Sequence, residues 1–212
     1  IVNKLNFYHF ETFEFPQSFG VIFTALCILS LINFMNMIDG KNGIMGFYSI
    51  SLFLYFIFKG FEFYFISLMI SGIILFLIFN LRNKTYLGDG GTYLIAFVLS
   101  IFLIKGHNIN KTLWVEEILI LLLIPLLDMI RLIFERLVRG QHPFKGDFNH
   151  LHHLLANITS KDSHILVIMI IFMIAPLVTY IIINTFIFAL VTYTLIYFIL
   201  IIILKNFIKA KN

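Results

Sequence analysis

Residues 164–206 read HILVIMIIFMIAPLVTYIIINTFIFALVTYTLIYFILIIILKN, and no Asp, Glu, Lys or Arg occurs from Ile165 to Leu204. A helix crossing the hydrocarbon of a bilayer needs about 20 apolar residues. This stretch holds two such lengths, 164–184 and 186–206. The runs are continuous rather than alternating, so the spanning form they predict is helical and not a barrel strand. Towards the N-terminus five more runs follow the same pattern, at 18–38, 44–59, 62–80, 91–105 and 113–134, the second and fourth of them short. The expectation is an all-α polytopic membrane helix bundle of about seven transmembrane helices, forming a single transmembrane domain over residues 1–212. One polar stretch, Glu135 to Ser163, is long enough for an extramembrane element.

Composition agrees. Hydrophobic residues make up 60% of the chain and charged residues 12%, against about a quarter charged in a soluble domain. Mean hydropathy is +0.99. A globule of this size needs a polar exterior, which this sequence does not have; lipid serves instead. The single cysteine, Cys27, excludes a disulfide within the chain and a cysteine metal site, and its apolar setting reads as a small buried residue.

The positive-inside rule orients the spans. Lys41, Arg82, Lys84, Arg131, Arg136, Arg139, Lys145, Lys161, Lys205, Lys209 and Lys211 fall on one side, and Lys4, Lys59, Lys105 and Lys111 on the other. The first side is therefore expected in the cytoplasm. The net charge of +4 then needs no nucleic-acid partner. Basic residues at that leaflet suit anionic lipid or an anionic substrate.

Four polar clusters interrupt the apolar runs, all on the predicted cytoplasmic side. Asn33, Asn36 and Asp39 are spaced to share one helical face at a membrane exit. Gly40 and Gly43 fit a helix stop, but an Asp at a helix C-terminus opposes the macrodipole, which favours a functional reading. Gly88-Asp89-Gly90-Gly91-Thr92 precedes a span. Asp89 there reads equally as an N-cap or as a hard oxygen ligand for Mg²⁺. Asp128 lies inside the fifth span, where a carboxylate is costly and marks a functional position; an ion pair with Arg131 one turn on reads equally well, and the two are compatible. His150, His152 and His153 follow Pro143-Phe144-Lys145-Gly146-Asp147. Their spacing does not suit tetrahedral zinc, and a phosphate or nucleotide contact beside Lys145 fits better. His9, His107, His142 and His164 read as surface or interfacial.

These four motifs, in this order, resemble the polyprenyl-phosphate N-acetylhexosamine-1-phosphate transferases of glycosyltransferase family 4, over most of the chain. Asn33-Phe-Met-Asn36-Met-Ile-Asp39-Gly-Lys-Asn42-Gly is similar to the family's N-x-x-N-x-x-D-G segment. Asn80 with Gly88-Asp89-Gly90-Gly91, Pro125-Leu-Leu-Asp128, and Pro143-Phe-Lys-Gly-Asp147-Phe-Asn-His150-Leu-His152-His153 resemble the other three. The H-x-H-H form resembles the undecaprenyl-phosphate GlcNAc-1-phosphate branch more than the phospho-MurNAc-pentapeptide translocases, which stand as the alternative.

The resemblance implies transfer of an N-acetylhexosamine 1-phosphate from a UDP-sugar to undecaprenyl or another polyprenyl phosphate, with release of UMP. It implies an Mg²⁺-dependent phosphotransferase, Mn²⁺ substituting, in a bacterial cytoplasmic membrane with its site facing the cytoplasm. It assigns Asp39, Asp89, His150, His152 and His153 to catalysis and Asp89 to the metal. It assigns Asn33, Asn36, Asn42, Asn80, Asp128, Lys145 and Asp147 to substrate binding. The implied partners are the UDP-sugar, the polyprenyl phosphate and the membrane; a homodimer is compatible with these.

Three departures stand out. The family's Asp-Asp pair occurs nowhere in the chain, Phe148 replaces the loop Arg, and Thr92 replaces a Ser while keeping its hydroxyl. With Ile1 at the start, the expectation is an N-terminally truncated chain, inactive alone, or an inactive paralogue. A transporter is a remote reading, since transporters place polar residues near the midplane, and the halves of the spans away from the four clusters carry few ionisable groups.

Overall fold

A computed structural model describes residues 1–8, 11–108, 112–143 and 148–211. A two-stranded antiparallel hairpin, β1 (Lys4–Leu5) and β2 (Phe13–Glu14), precedes nine α-helices among the described residues. They are α1 (Gln17–Ile38), α2 (Ile44–Phe58), α3 (Phe63–Asn80), α4 (Gly88–Asn108), α5 (Val115–Leu121), α6 (Leu123–Val138), α7 (Leu151–Ala156), α8 (Asp162–Ile183) and α9 (Phe186–Lys211).

Helices α1, α3, α4, α8 and α9 are long and apolar enough to cross a membrane. The expected second run is α2, at 15 residues, and the expected fifth is α5 and α6 together. The fold is thus the expected all-α bundle of a multi-pass membrane protein, with a small hairpin that periodicity did not reveal. The polar loop is shorter than expected. Helix α6 runs on to Val138 and α8 begins at Asp162.

Local chemistry sets the breaks. Pro125 has no N–H, so the Leu121 carbonyl four residues earlier lacks its helical donor. The Tyr48 hydroxyl of α2 supplies one at 2.6 Å. The α5–α6 discontinuity is therefore satisfied from a neighbouring helix, as the apolar medium demands. Helices α8 and α9 are separated by a left-handed residue, Asn184 (φ 52°), whose N–H closes onto the Tyr180 carbonyl.

The spanning helices are apolar all round, so no amphipathic stripe tells which face is inward. Packing decides it. Helix α1 lies along α4 and touches α6, while α2 is flanked by α3, α4 and α8. Phe53 and Phe56 of α2 meet Phe102 of α4. Outward surfaces such as Leu68, Ile171 and Ile182 remain exposed to what would be lipid. Cys27 belongs there too: it is exposed rather than buried, because packing turned that side of α1 outward.

One end of the bundle gathers the ends of α1, α3, α6 and α9 with the starts of α2, α4 and α8. Lys41–Asp162 and Lys205–Glu135 ion pairs tie it together. The opposite end corrects two expectations. His107 is buried, not superficial: its Nδ1 contacts the Leu113 carbonyl and its Nε2 accepts from the Asn6 N–H. Glu116 and Glu117 are also buried there, so this end is not poor in ionisable groups. Glu116 accepts from the Tyr8 N–H through both oxygens, and Glu117 pairs with Lys59 at 2.5 Å.

Candidate active site

A cavity of 470 Å³ opens at the first end, lined by Asn36, Asp39, Gly40, Lys41, Asn42, Asn80, Tyr86, Leu87, Gly88, Asp89 and Asp162. Its walls come from the α1–α2 turn, the α3–α4 connection and the start of α8.

Asp39 follows the last residue of α1. Its N–H reaches the Asn36 carbonyl at 3.3 Å, and the next N–H, of Gly40, bonds the Ile38 carbonyl at 2.7 Å. The chain therefore turns sharply and leaves the Asp39 carboxylate over the start of α4. Thr92, fully buried one turn into α4, donates to Asp39 Oδ2 at 2.9 Å. This bond joins the first two motifs. Burial raises the Asp39 carboxyl above the usual carboxylate range; the Thr92 hydrogen bond opposes this, and the nearby Asp89 charge reinforces it. Asp89, the second residue of α4, is exposed. Its carboxylate has no hydrogen bond or ion pair among the described residues.

The asparagines divide by what they touch. Asn36 lines the cavity with its amide unpartnered among the described residues. Asn80 is buried and committed: its Oδ1 accepts from the Gly43 N–H at 2.8 Å, and its Nδ2 donates to Asn42 Oδ1 and the Thr85 carbonyl. Gly43 needs that support, since its φ of +88° is left-handed. Asn42 in turn donates to Asn83 Oδ1 at 2.6 Å. Asn80 thus shapes the cavity wall more than it reaches into it. Asn33 is exposed one turn further back on α1 and does not line the cavity, so the shared face extends only over Asn36 and Asp39.

The histidine segment packs against this wall from the other side. His150 caps α7, and its Nδ1 lies 3.1 Å from Asp128 Oδ2. Asp128 Oδ1 accepts from Arg131 at 2.8 Å and from the Tyr197 hydroxyl of α9 at 2.7 Å. Arg131 also donates to that hydroxyl, to Glu135, and to the Asn149 carbonyl just before the histidines. Asp128 is therefore fully engaged in anchoring the loop and lies outside the 470 Å³ cavity. The ion-pair reading of its sequence position is realised, and extended by a helix that the sequence did not link to it.

The rings of His150 and His152 stack 5.7 Å apart, and those of His152 and His153 lie 4.2 Å apart. His152 is buried beneath Gly40, where a Cβ would sit 1.8 Å from its Nε2. Only glycine allows this approach. Burial, followed by the neighbouring histidines, pushes the His152 ring down to about 3, so it is neutral at physiological pH. His153 is half-buried and meets the exposed ring of Phe148 edge-on at 5.1 Å. Lys145 and Asp147 lie outside the described residues.

Lys41, Tyr86, Leu87 and Asp162 also line the cavity without a site assignment from the sequence: Lys41 is a spacer inside the first motif, Tyr86 and Leu87 lie between Asn80 and the Gly88 segment, and Asp162 lies beyond the last motif. Tyr197 was one aromatic among many in an apolar run; no local signal distinguishes it.

Among the described residues no group of three or more His, Cys, Asp or Glu is arranged to hold a metal ion by itself. Asp39 and Asp89 nevertheless face one cavity, and their like charges are unrelieved. Mg²⁺ characteristically takes one or two carboxylates and completes its shell with water and phosphate oxygens. The donors present fit that pattern.

The profile of Glycosyl transferase family 4 matches residues 2–107, which include the α1–α2 turn, the α3–α4 connection and the Asp39–Thr92 contact. The chain belongs to this family. Among related family members, the undecaprenyl-phosphate alpha-N-acetylglucosaminyl 1-phosphate transferase of Escherichia coli (strain K12) is 31% identical over 169 residues, 70% of this chain and 44% of the relative. The protein of that name from Yersinia pestis is 32% identical over the same share of this chain and 45% of the relative. That from Pasteurella multocida (strain Pm70) is 36% identical over 98 residues, 42% of this chain and 26% of the relative. The chain spans less than half the length of these curated relatives. No solved structure matches it.

Proposed function

We propose that the protein transfers an N-acetylhexosamine 1-phosphate, GlcNAc 1-phosphate first among them, from a UDP-sugar to undecaprenyl phosphate at the cytoplasmic face of the inner membrane. The observation that carries this is the single cavity uniting Asp39, Asp89 and Asn36, built where apolar helices leave the hydrocarbon. A lipid phosphate reaches such a place with its tail still in the bilayer. The names of the family relatives supply the choice of undecaprenyl phosphate and GlcNAc.

In the reaction, an oxygen of the lipid phosphate attacks the phosphorus that bears the sugar. The bond from that phosphorus to the UMP oxygen breaks, UMP leaves, and a lipid diphosphate sugar forms. Little covalent work falls to the protein, so positioning and charge neutralisation dominate. Asp39 and Asp89 would hold Mg²⁺, which when bound neutralises the diphosphate and stabilises charge on the departing UMP. Thr92 keeps the Asp39 carboxylate turned to the cavity, and Asn36 offers an amide to the substrate. His150 and His152 position: the first is tethered to Asp128, and the second carries Gly40 on its ring. His153 keeps exposed surface for a phosphate contact.

Release of UMP from UDP-GlcNAc by membranes carrying the full-length protein, dependent on both undecaprenyl phosphate and Mg²⁺, is the expected result. Release that is indifferent to added undecaprenyl phosphate would overturn the assignment of the acceptor.

A further inference from the structure

Three carboxylates, Asp39, Asp89 and Asp162, line the cavity with a single lysine, Lys41. The diphosphate of a nucleotide sugar brings further negative charge into that space. Two of the carboxylates, Asp39 and Asp89, would hold the Mg²⁺ of the proposed function. Lys41 is left as the cation that the protein itself supplies among the described lining residues.

Its present partner is Asp162, at 2.8 Å across the cavity mouth, with side-chain exposures of 30% and 64%. A pair that open to water is screened and weakly held, so it exchanges readily. Phosphate oxygens accept charge-assisted bonds from an ammonium at least as well as an exposed carboxylate does. The backbone beneath Lys41 is fixed: Gly40 rests on His152, and the Ile44 N–H donates to the Lys41 carbonyl at 3.2 Å. The long side chain can therefore swing while its base stays in place.

We propose that Lys41 binds the diphosphate of the nucleotide sugar, and that Asp162 holds the ammonium at the cavity mouth until that ligand arrives. This rests on the function proposed above. It gives each partner a different sign. If the pair were only a tie between the α1–α2 turn and α8, losing either side would weaken binding alike.

The test measures KM for UDP-GlcNAc, and inhibition by UDP and by uridine, with membranes carrying the full-length protein, unsubstituted or as Lys41→Met, Lys41→Arg or Asp162→Asn. Lys41→Met is expected to raise KM and weaken UDP inhibition about 10-fold, the size of one charge-assisted bond, while uridine inhibition stays level. Lys41→Arg keeps the charge and is expected to lie close to the unsubstituted protein. Asp162→Asn is expected to lower KM. An unchanged KM in Lys41→Met overturns the inference, and so does a raised KM in Asp162→Asn. Absence of turnover by the unsubstituted protein overturns the function itself, a result distinct from both.

Discussion

The two ends of the bundle carry similar chemistry and treat it differently. At the end opposite the cavity, Glu116, Glu117 and His107 are buried, and each has internal partners: backbone N–H groups, Lys59, and main-chain carbonyls. At the cavity end, Asp39 keeps one oxygen free of partners and Asp89 keeps both, among the described residues. The same contrast recurs within the cavity end, where Asp128 spends its oxygens on His150, Arg131 and Tyr197. Buried acid is therefore no mark of a site. Bonding capacity left over, and turned towards an open space, is.

Five substitutions press on that contrast, from the largest expected effect to the smallest. Asp89→Ala is expected to lower kcat for UMP release by on the order of 100-fold or more, the scale of losing a main electrostatic contact in the transition state. The thermal midpoint of the purified protein in detergent is expected to hold or rise, because repulsion with Asp39 is relieved. Normal turnover in that variant would remove Asp89 from the proposed metal site.

Asp128→Ala is expected to act through structure. It takes the carboxylate from His150 and leaves Arg131 with Glu135 as its carboxylate partner among the described residues, so the expected cost lies below the about 3–5 kcal/mol of a buried charge stripped of its whole partner. Glu117→Ala at the other end takes the carboxylate from Lys59 and is expected to cost stability of the same kind, while KM for UDP-GlcNAc and the proposed Mg²⁺ dependence stay unchanged. Unfolding in detergent, read beside turnover, separates the two: Asp128→Ala loses both, Glu117→Ala only stability.

Tyr197→Phe removes one hydroxyl shared by Asp128 and Arg131. The expected cost is about 1.5–3 kcal/mol of stability, with kcat reduced more than KM is raised, since the loop is loosened and the cavity is not. An equal rise in KM would place Tyr197 nearer the substrate than its contacts do.

The pH response offers the finest test. His152 is held neutral by burial, with its ring pushed down to about 3, whereas an unfolded histidine titrates near 6.5. Above about pH 6.5 neither state takes the proton and the contribution of His152 to stability is complete. Between about 6.5 and 3 the unfolded chain takes a proton that the folded chain refuses, so stability falls with pH by at most about 1.4 kcal/mol per unit. Asp39, raised by burial, works in the opposite sense: it disfavours folding as pH rises past the ordinary carboxylate range. Comparing the unsubstituted protein with a His152 variant over a scan from about pH 7.5 to 5.5 separates the histidine from the other groups. His152→Asn is expected to flatten that limb; an unchanged slope would assign it to other groups.

Much of the molecule is written in its sequence. Apolar length alone determined that helices cross a bilayer, because backbone groups in hydrocarbon must bond within their own segment. Motif order determined the family, and spacing placed Asn36, Asp39 and Asp89 at one end. What the sequence did not determine is the side each helix turns inward, because a helix apolar all round has no periodic signal to read. Hence Cys27 faces outward, and Tyr197, one tyrosine in an unbroken apolar run, reaches Asp128 across 69 positions. Tertiary structure alone decided which polar groups are spent on one another and which remain open. Asn80 and Asp128 belong to the first kind, Asp39 and Asp89 to the second. The physical reason is that residue identity fixes how many bonds a side chain is able to make, and only the neighbours brought by packing fix how many it has left.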